Sequence, residues 1–349
     1  MTVKAYGSKG EENDLEQVEI ARRELQDDDI EIDIHYCGVC HSDIHHVEGD
    51  WGEAPRPAVP GHEIVGVVTK VGKNVSSFKV DDKVGVGCMV DSCQKCKPCK
   101  DNLEQFCDEG STQTYGSEDK ISGGHTFGGY SEKIVVNKKF VLSISEKLDF
   151  KKVAPLLCAG ITTYSPLNHW GIVKGDKVGV IGLGGLGHMG VKIASAMGAK
   201  VVMITTSSSK SEDAKKLGAE EVLISKDEDQ MEKYKNSFDF ILNTIPVGHD
   251  INPYLELLKV DKTMVLVGAI EPLEPMNGAN LILRRKRVAG SLIGGIAETQ
   301  KMLDFCADNE IHPEVEMINI QDINKAFKRV KSSDVKYRFV IDMKSLKEA

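Results

Sequence analysis

The 349-residue sequence has no long apolar run, no excess of positive charge and no internal repeat. No stretch reaches the roughly 18 consecutive apolar residues of a membrane-spanning helix. Residues 1–6 show no apolar run behind a basic patch, which would mark a secretory signal. The 44 basic and 53 acidic residues give a net charge of −9, which argues against nucleic acid and anionic membranes, because both select a basic surface. We therefore expect a cytoplasmic protein with neither kind of partner.

The length and the cysteine content limit the architecture. A chain of 349 residues is longer than one hydrophobic core usually supports, so two domains are expected. Nine cysteines fit a cytoplasmic protein if most of them are metal ligands rather than disulfide partners. Their clustering favours metal binding.

Four cysteines lie close together in the pattern Cys93-x2-Cys96-x2-Cys99-x7-Cys107. A structural zinc needs four closed ligands, with thiolates at roughly 2.3 Å. A ferredoxin-type iron–sulfur cluster would place its fourth cysteine after three residues and before proline, whereas here the gap is seven and Asp108 follows. A nucleic-acid-binding zinc ribbon would have two more widely separated knuckles and a basic surface. The pattern predicts a structural zinc.

A second set of metal-binding residue types lies nearer the N-terminus. The stretch Cys37-Gly38-Val39-Cys40-His41-Ser42-Asp43-Ile44-His45-His46 is followed by Gly61-His62-Glu63. Cys40 and His62 are zinc ligand types, and a catalytic zinc needs a third protein ligand beside an exchangeable position. Cys158 is the best candidate, although from its position alone a small buried cysteine is equally plausible. No role is assigned to Cys37, Cys88 and Cys306.

After residue 150 the pattern changes to alternating strands and helices. A strand at 177–181 leads into Gly182-Leu183-Gly184-Gly185-Leu186-Gly187, a helix follows at 191–197, and a second strand at 200–204. In this strand–turn–helix context, G-x-G-x-x-G predicts a dinucleotide site, because glycines let the backbone approach a pyrophosphate at a helix N-terminus.

The same alternation continues to the end of the chain. Further strands are predicted at 221–224, 238–243, 263–268 and 288–293, then at 314–318 and 337–342, with helices at 299–307 and 320–331. The first four of these strands would complete a doubly wound sheet.

Taken together, these motifs resemble the zinc-containing medium-chain alcohol dehydrogenases, and more narrowly their cinnamyl-alcohol-dehydrogenase-like branch. The motifs are the 37–43 stretch, Pro60-Gly61-His62-Glu63-Ile64-Val65-Gly66, the four-cysteine lobe and residues 182–190. The resemblance implies an α/β protein in which a GroES-like, β-rich catalytic domain is split around a Rossmann domain. The implied bounds are 1–154 and 297–349 for the catalytic domain, about 88–110 for its zinc lobe, and 155–296 for the NADP-binding domain.

The resemblance also implies two zincs per chain. It assigns the catalytic zinc to Cys40, His62 and Cys158, and the structural zinc to Cys93, Cys96, Cys99 and Cys107. Ser42 and His45 resemble the relay that carries the alcohol proton outward, for which an imidazole has a suitable pKa. Asp43 resembles the carboxylate that orients the zinc-binding histidine, and Glu63 is a candidate transient ligand.

The cofactor is predicted from the end of the second Rossmann strand. An NAD enzyme usually has Asp or Glu there, whereas this chain has Thr205, Thr206, Ser207 and Lys210, which suit the 2′-phosphate of NADP(H). Alternatively, this stretch is only a polar loop that caps the next helix, and capping is compatible with binding the 2′-phosphate. The predicted cofactor residues also include Gly182, Gly184, Gly185, Leu186, Gly187 and, at the pyrophosphate, Arg338.

The substrate is predicted only as a class. Trp51, Leu292 and Ile293 are candidates for an apolar pocket, although such residues are more often ordinary core. We expect hydride transfer between NADP(H) and a primary alcohol or aldehyde of broad type, aliphatic, aromatic or cinnamyl. The family resemblance implies a homodimer joined at the Rossmann sheet edges. The alternatives are an NADPH-dependent quinone or enoyl reductase of the same superfamily and a non-catalytic NADP-binding zinc protein.

Overall fold

The computed structural model describes residues 1–10, 13–268 and 271–347. The chain forms two compact units, one comprising residues 1–158 and 294–349 and the other residues 159–293. Among the described residues no helix has both the length and the apolar character needed to cross a membrane.

The first unit begins with a β-rich segment. Its strands are β1 (Thr2–Gly7), β2 (Glu16–Ala21), β3 (Asp29–Val39), β4 (Ile64–Val71), β5 (Lys83–Val86), β6 (Met89–Asp91), β7 (Thr112–Gln113), β8 (Lys133–Asn137) and β9 (Leu142–Ser143), and its helices are α1 (His41–Glu48) and α2 (Lys97–Lys100). A short 3₁₀ turn, Ala154–Leu157, leads to Cys158, the last residue of this segment.

The second unit alternates helices and strands. Its elements are α3 (Ala159–His169), β10 (Lys177–Ile181), α4 (Gly187–Ala196), β11 (Lys200–Thr205), α5 (Ser211–Lys216), β12 (Glu221–Ile224), α6 (Glu228–Lys233), β13 (Phe238–Asn243), α7 (Asn252–Leu257), β14 (Leu258–Leu266), α8 (Ala279–Ile282) and β15 (Arg287–Gly290). The chain then completes the first unit with α9 (Ile296–Asp308), β16 (Val315–Asn319), α10 (Ile323–Lys331), β17 (Arg338–Asp342) and α11 (Lys344–Lys347).

The second unit contains a six-stranded parallel sheet in the order β12-β11-β10-β13-β14-β15. This order reads 3-2-1-4-5-6 along the chain, the arrangement of a doubly wound dinucleotide-binding fold. Strand β11 shows why the sequence adopts it, since its apolar run Val201-Val202-Met203-Ile204 is fully buried, as expected for a parallel strand covered on both faces. The predicted α/β fold is confirmed.

The sixth strand of this sheet is shorter than predicted. Strand β15 ends at Gly290, so Leu292 and Ile293 follow the strand instead of belonging to it. Ile293 has a φ of 36°, which is incompatible with an extended strand. The placement of these two residues in the last sheet strand was therefore wrong.

The first unit contains a seven-stranded sheet that brings distant segments together. Its order is β16-β17-β3-β4-β5-β9, with β8 also paired to β3. Strand β3 lies antiparallel to both β4 and β17, with Cys37 opposite Ile64 and Val39 opposite Phe339. This register carries the residues before β4 and at the start of β17 to the end of β3 where Cys40 lies. The buried Ile30, Ile32 and Ile34 hold this part of β3 in the core, each contributing about 2 kcal/mol by burial.

Candidate functional site

A buried set of metal-donor atoms lies within the first unit. One ligand atom each from Cys40, His62, Glu63 and Cys158 lies within 4.8 Å of the others, and all four residues are buried. The sulfurs of Cys40 and Cys158 are 3.9 Å apart. The structure thus brings together the three predicted ligands of the catalytic zinc.

Two of these donors fit a bound cation on structural grounds. Within the described part of the chain, His62 Nε2 and Glu63 Oε2 are buried and have no hydrogen-bond partner. A buried polar atom without a hydrogen-bond partner destabilises the fold unless a bound ligand supplies the missing interaction. Two thiol sulfurs and an imidazole nitrogen are donors that suit zinc.

The two sulfurs also influence each other's protonation. The hydrogen bond between them lowers the pKa of Cys40 well below its ordinary value and raises that of Cys158 well above it. Sulfurs at this separation behave as one coupled pair that a divalent cation would bind as thiolates.

Glu63 is paired with Arg338 beside the donor set. The Arg338 guanidinium donates to Glu63 Oε1, and both side chains are buried. Burial raises the pKa of Glu63 to about 7, while the positive charge of Arg338 opposes that rise. Arg338 was predicted at the cofactor pyrophosphate, and that role stays a prediction because the contact seen here is with Glu63.

Gly38 leaves room for the Glu63 carboxylate. A Cβ atom at Gly38 would fall well inside contact distance of Glu63 Oε2, and the Gly38 N–H donates to the Glu63 carbonyl at 3.0 Å. Position 38 therefore requires glycine, because the Glu63 segment packs directly against it.

The Asp43 carboxylate holds the backbone at Cys40 and next to His62. Its carboxylate accepts hydrogen bonds from the N–H groups of Cys40 at 2.8 Å and Gly61 at 3.0 Å, and from the Tyr130 hydroxyl at 3.2 Å. The distance from Asp43 Oδ1 to His62 Nδ1 is 3.4 Å. Asp43 therefore lies near His62, as predicted, but its hydrogen bonds to the backbone N–H groups of Cys40 and Gly61 are shorter than its distance to His62.

Sequence reasoning missed Tyr115, whose hydroxyl lies 2.9 Å from His62 Nδ1. Burial raises the pKa of Tyr115 well above its ordinary value, and the Asp43 charge raises it further. Tyr115 lies 53 residues beyond His62 in a segment without a metal-ligand motif. No local signal indicated it.

The predicted relay residues lie on α1, directly after Cys40. The Ser42 hydroxyl is 3.6 Å from the Cys40 sulfur. His45 Nδ1 lies 2.6 Å from Asp50 Oδ2, and the ring centroid of Trp51 is 5.5 Å from that of His45. Asp50 was also missed, although a carboxylate five residues after a candidate base is a usable signal.

The four lobe cysteines form a second donor set. One sulfur from each of Cys93, Cys96, Cys99 and Cys107 lies within 4.8 Å of the others. The N–H groups of Cys93 and Cys96 donate to the sulfurs of Cys107 and Cys93, each at 3.4 Å. Hydrogen bonds from backbone N–H groups, chiefly that of Lys95, lower the pKa of Cys93 to about 7. Four convergent sulfurs with N–H donors fit a closed, tetrahedral zinc site.

The lobe is also attached to the returning segment of the first unit. Glu104 Oε2 accepts a hydrogen bond at 3.1 Å from the N–H of Ile296, the first residue of α9. A carboxylate at a helix start stabilises both the free N–H groups and the helix dipole.

All nine cysteines are free thiols. Burial raises the pKa of Cys37 well above its ordinary value and that of Cys306 to about 12, so both are protonated, unreactive core residues. Cys88 is half-buried, with its sulfur 3.9 Å from the Leu157 carbonyl oxygen.

In the second unit, the glycine-rich turn connects β10 to α4. Gly182 has a φ of 91°, and a Cβ atom at Gly187 would collide with the Gly182 carbonyl oxygen. Helix α4 begins at Gly187, so its free N–H groups are at the turn. This is the arrangement that binds a pyrophosphate.

The predicted 2′-phosphate residues lie next to this turn. Thr205 ends β11 and is buried, whereas Thr206, Ser207 and Lys210 are exposed. The Lys210 ammonium lies 3.5 Å from the carbonyl oxygen of Leu183 in the glycine-rich turn. The Ser207 hydroxyl accepts from the Ser209 N–H at 3.2 Å, so it also caps the following turn.

The predicted substrate-pocket residues are surface residues of their units. Trp51 is 57% exposed in the first unit, and Leu292 is 55% exposed in the second. Ile293 is half-buried. Their shared role in a pocket stays a prediction.

Comparison with known proteins agrees with these features. Residues 26–146 match the family model of the alcohol dehydrogenase GroES-like domain, and residues 185–308 that of the zinc-binding dehydrogenases. The chain is 52% identical to aldehyde reductase YahK of Escherichia coli and 49% identical to NADP-dependent alcohol dehydrogenase C 1 of Mycolicibacterium smegmatis, with 99% of both chains covered in each case.

Two solved structures are similar over nearly the whole chain. The cinnamyl alcohol dehydrogenase SbCAD4 of Sorghum bicolor has a TM-score of 0.95 at 40% identity, covering 99% of this chain and 98% of that one. The Helicobacter pylori CAD complexed with NADP(H) has a TM-score of 0.91 at 42% identity, covering 99% of both.

The fold and the two donor sets define an oxidoreductase with a GroES-like β domain and a doubly wound nucleotide-binding sheet. Given identities near 50% over the whole length, the chain belongs to the zinc-containing medium-chain alcohol dehydrogenase family. The predicted family is confirmed.

Replacing Cys99 by serine should lower the melting temperature by about 5 °C or more, because one of four ligands of a structural zinc is removed. The measurement is thermal unfolding with zinc analysis. Asp108→Asn, at an exposed position beside Cys107 in the lobe, should melt like the wild type. An unchanged melting temperature for Cys99→Ser would contradict a structural zinc.

Replacing Asp50 by asparagine should lower the rate of alcohol oxidation about tenfold or more, since the carboxylate accepts a hydrogen bond from His45 Nδ1 and leaves Nε2 as the base. The control is Glu53→Gln, an exposed carboxylate in the same loop. Steady-state rates measure both variants. Equal rates for the two would exclude Asp50 from proton transfer.

Proposed function

We propose that the protein is a zinc-dependent alcohol dehydrogenase and aldehyde reductase that transfers hydride between NADP(H) and a primary alcohol or aldehyde. The observation that carries this proposal is the buried donor set of Cys40, His62 and Cys158 with its unsatisfied Nε2 atom. The similar proteins include an aldehyde reductase, an NADP-dependent alcohol dehydrogenase, an 8-hydroxygeraniol dehydrogenase and a cinnamyl alcohol dehydrogenase. Their range supports a broad substrate class.

Cys40, His62 and Cys158 would hold the catalytic zinc, and Cys93, Cys96, Cys99 and Cys107 the structural one. When bound, the catalytic zinc supplies a Lewis acid that stabilises an alkoxide or polarises an aldehyde carbonyl. The pairing with Arg338 holds Glu63 beside the donors and balances its charge, so a transient role for Glu63 requires that this pair loosens.

The proton of the alcohol is moved by side chains on and after α1. The Ser42 hydroxyl, which can both accept and donate a proton, lies 3.6 Å from the Cys40 sulfur. His45 accepts the proton at Nε2, because Asp50 accepts a hydrogen bond from Nδ1–H and fixes that tautomer; the proton on Nδ1 then leaves through the exposed Asp50 carboxylate. Among described residues, His45 Nε2 has no hydrogen-bond partner, which suits an atom that exchanges protons.

The second unit would bind NADP(H), which supplies the hydride. The N–H groups of Gly184, Gly185, Leu186 and Gly187, at the start of α4, would bind the pyrophosphate. Thr205, Thr206, Ser207 and Lys210 would bind the 2′-phosphate, since residues 205–210 contain hydroxyls and an ammonium and no carboxylate. We assign the NADP-binding role to the second unit, residues 159–293, and the catalytic role, with Cys158, to the first unit, residues 1–158 and 294–349.

We also propose a homodimer joined through the edge of the parallel sheet. Strand β15 is the last strand of that sheet, and Ile282 and Leu283, which precede it by a few residues in the chain, are each 81% exposed. Exposed aliphatic side chains next to a sheet edge favour association. A cytoplasmic location suits the six cysteine thiols that would serve as metal ligands, because an oxidising compartment favours disulfides.

Replacing Lys210 by alanine should raise the KM for NADPH about tenfold or more and leave the KM for NADH unchanged, because one charge-assisted bond to the 2′-phosphate is lost. The control is Lys216→Ala, an exposed lysine on α5. Aldehyde reduction with both cofactors measures the effect. A wild type that uses NADH as well as NADPH would refute the cofactor assignment.

Replacing Cys40 by serine should reduce bound zinc from two to one per chain and abolish turnover, while NADPH still binds. Zinc analysis and NADPH titration test this, with Cys306→Ala as a control that keeps both zincs. Retained activity in Cys40→Ser would exclude a catalytic zinc, and a single zinc in the wild type would favour the reductase or non-catalytic alternatives.

A further inference from the structure

The two nitrogens of the His62 ring have different surroundings. Nε2 belongs to the donor set with Cys40 and Cys158, and within the described residues no protein group forms a hydrogen bond with it. Nδ1 lies 2.9 Å from the Tyr115 hydroxyl and 3.4 Å from Asp43 Oδ1. If Nε2 binds the metal, Nδ1 carries the proton and needs an acceptor. The nearer acceptor is the phenol oxygen.

The Asp43 carboxylate is already bonded by other groups. It accepts from the N–H of Cys40, the N–H of Gly61 and the Tyr130 hydroxyl, at 2.8, 3.0 and 3.2 Å. Burial, and then the Asp43 charge, raise the pKa of Tyr115 well above its ordinary value, so the phenol near Asp43 stays neutral. Asp43 therefore already accepts three hydrogen bonds that are shorter than its 3.4 Å separation from His62 Nδ1.

We propose that Tyr115 is the residue that orients His62 for zinc. His62 Nδ1–H donates to Tyr115 Oη, and Tyr115 Oη–H donates to Asp43, so that a neutral phenol stands between the imidazole and the carboxylate. The proposal rests on the proposed catalytic zinc site. Tyr115 is a positioning residue, because it acts on the metal only through His62.

The surroundings of Tyr115 fix the phenol ring in this place. The side chain is buried, and the His46 ring packs against it with a centroid distance of 4.7 Å. The His62 ring lies 5.5 Å from it on another side. Because these contacts involve the ring, Tyr115→Phe removes the hydroxyl and keeps the packing.

The chain offers a matched control in Tyr130. Tyr130 is also buried and its hydroxyl also bonds to Asp43, at Oδ2. The Tyr130 hydroxyl donates to the Asp43 carboxylate and not to His62. Tyr130→Phe therefore removes one of several donors to Asp43 and leaves the bond at His62 Nδ1 in place.

The test is zinc release from the purified protein, measured with a chromogenic chelator, together with the visible spectrum after cobalt replaces the catalytic zinc. Tyr115→Phe should release one zinc about tenfold or more faster than the wild type, the usual cost of losing the partner of a ligating histidine. Its second, structural zinc should be released at the wild-type rate. The cobalt bands should shift in Tyr115→Phe, and in Tyr130→Phe both readouts should match the wild type.

Two zincs in the wild type and wild-type zinc release in Tyr115→Phe would overturn this inference and leave the proposed function intact. Equal acceleration in Tyr115→Phe and Tyr130→Phe would also overturn it, because the effect would then come from Asp43. A single zinc in the wild type would overturn the proposed function and the inference with it.

Discussion

The antiparallel pairing of β3 with both β4 and β17 is the constraint on which the catalytic site depends. Cys40 follows β3, His62 and Glu63 precede β4, and Arg338 opens β17. A shift of one residue in either pairing would turn these side chains to the opposite face of the sheet. The buried isoleucines of β3 prevent such a shift, because it would expose them. The same strand register thus both buries the core residues and positions the metal donors.

Much of this arrangement could be predicted from the sequence, where local patterns carry the information. The cysteine spacing predicted the lobe, and the strand–glycine–helix pattern predicted the turn at Gly182–Gly187. Both are short-range features in which residues close in sequence are also close in space. Cys158 is the instructive case. Position alone left it equally plausible as a core cysteine, and the family resemblance was needed to join it to Cys40 and His62.

The features that sequence reasoning missed depend on contacts between distant segments. Tyr115 reaches His62 from beyond the zinc lobe, and Arg338 reaches Glu63 across 275 residues. Neither residue type is unusual at its position, so only the folded structure reveals the partner.

The strand predicted at 288–293 was too long for another reason. Its apolar composition continues past Gly290, but the backbone turns at Ile293, where a positive φ overrides the strand propensity of isoleucine.

The discontinuous first unit has a consequence for synthesis on the ribosome. Residues 1–158 emerge early, but their sheet lacks β16 and β17 until the whole intervening unit has been made. A nascent chain therefore exposes the edge of β3, and Glu63 lacks its guanidinium partner until Arg338 has been translated. Such an open edge is prone to wrong pairing. The second unit, made from one uninterrupted segment, is free to fold while the first remains incomplete.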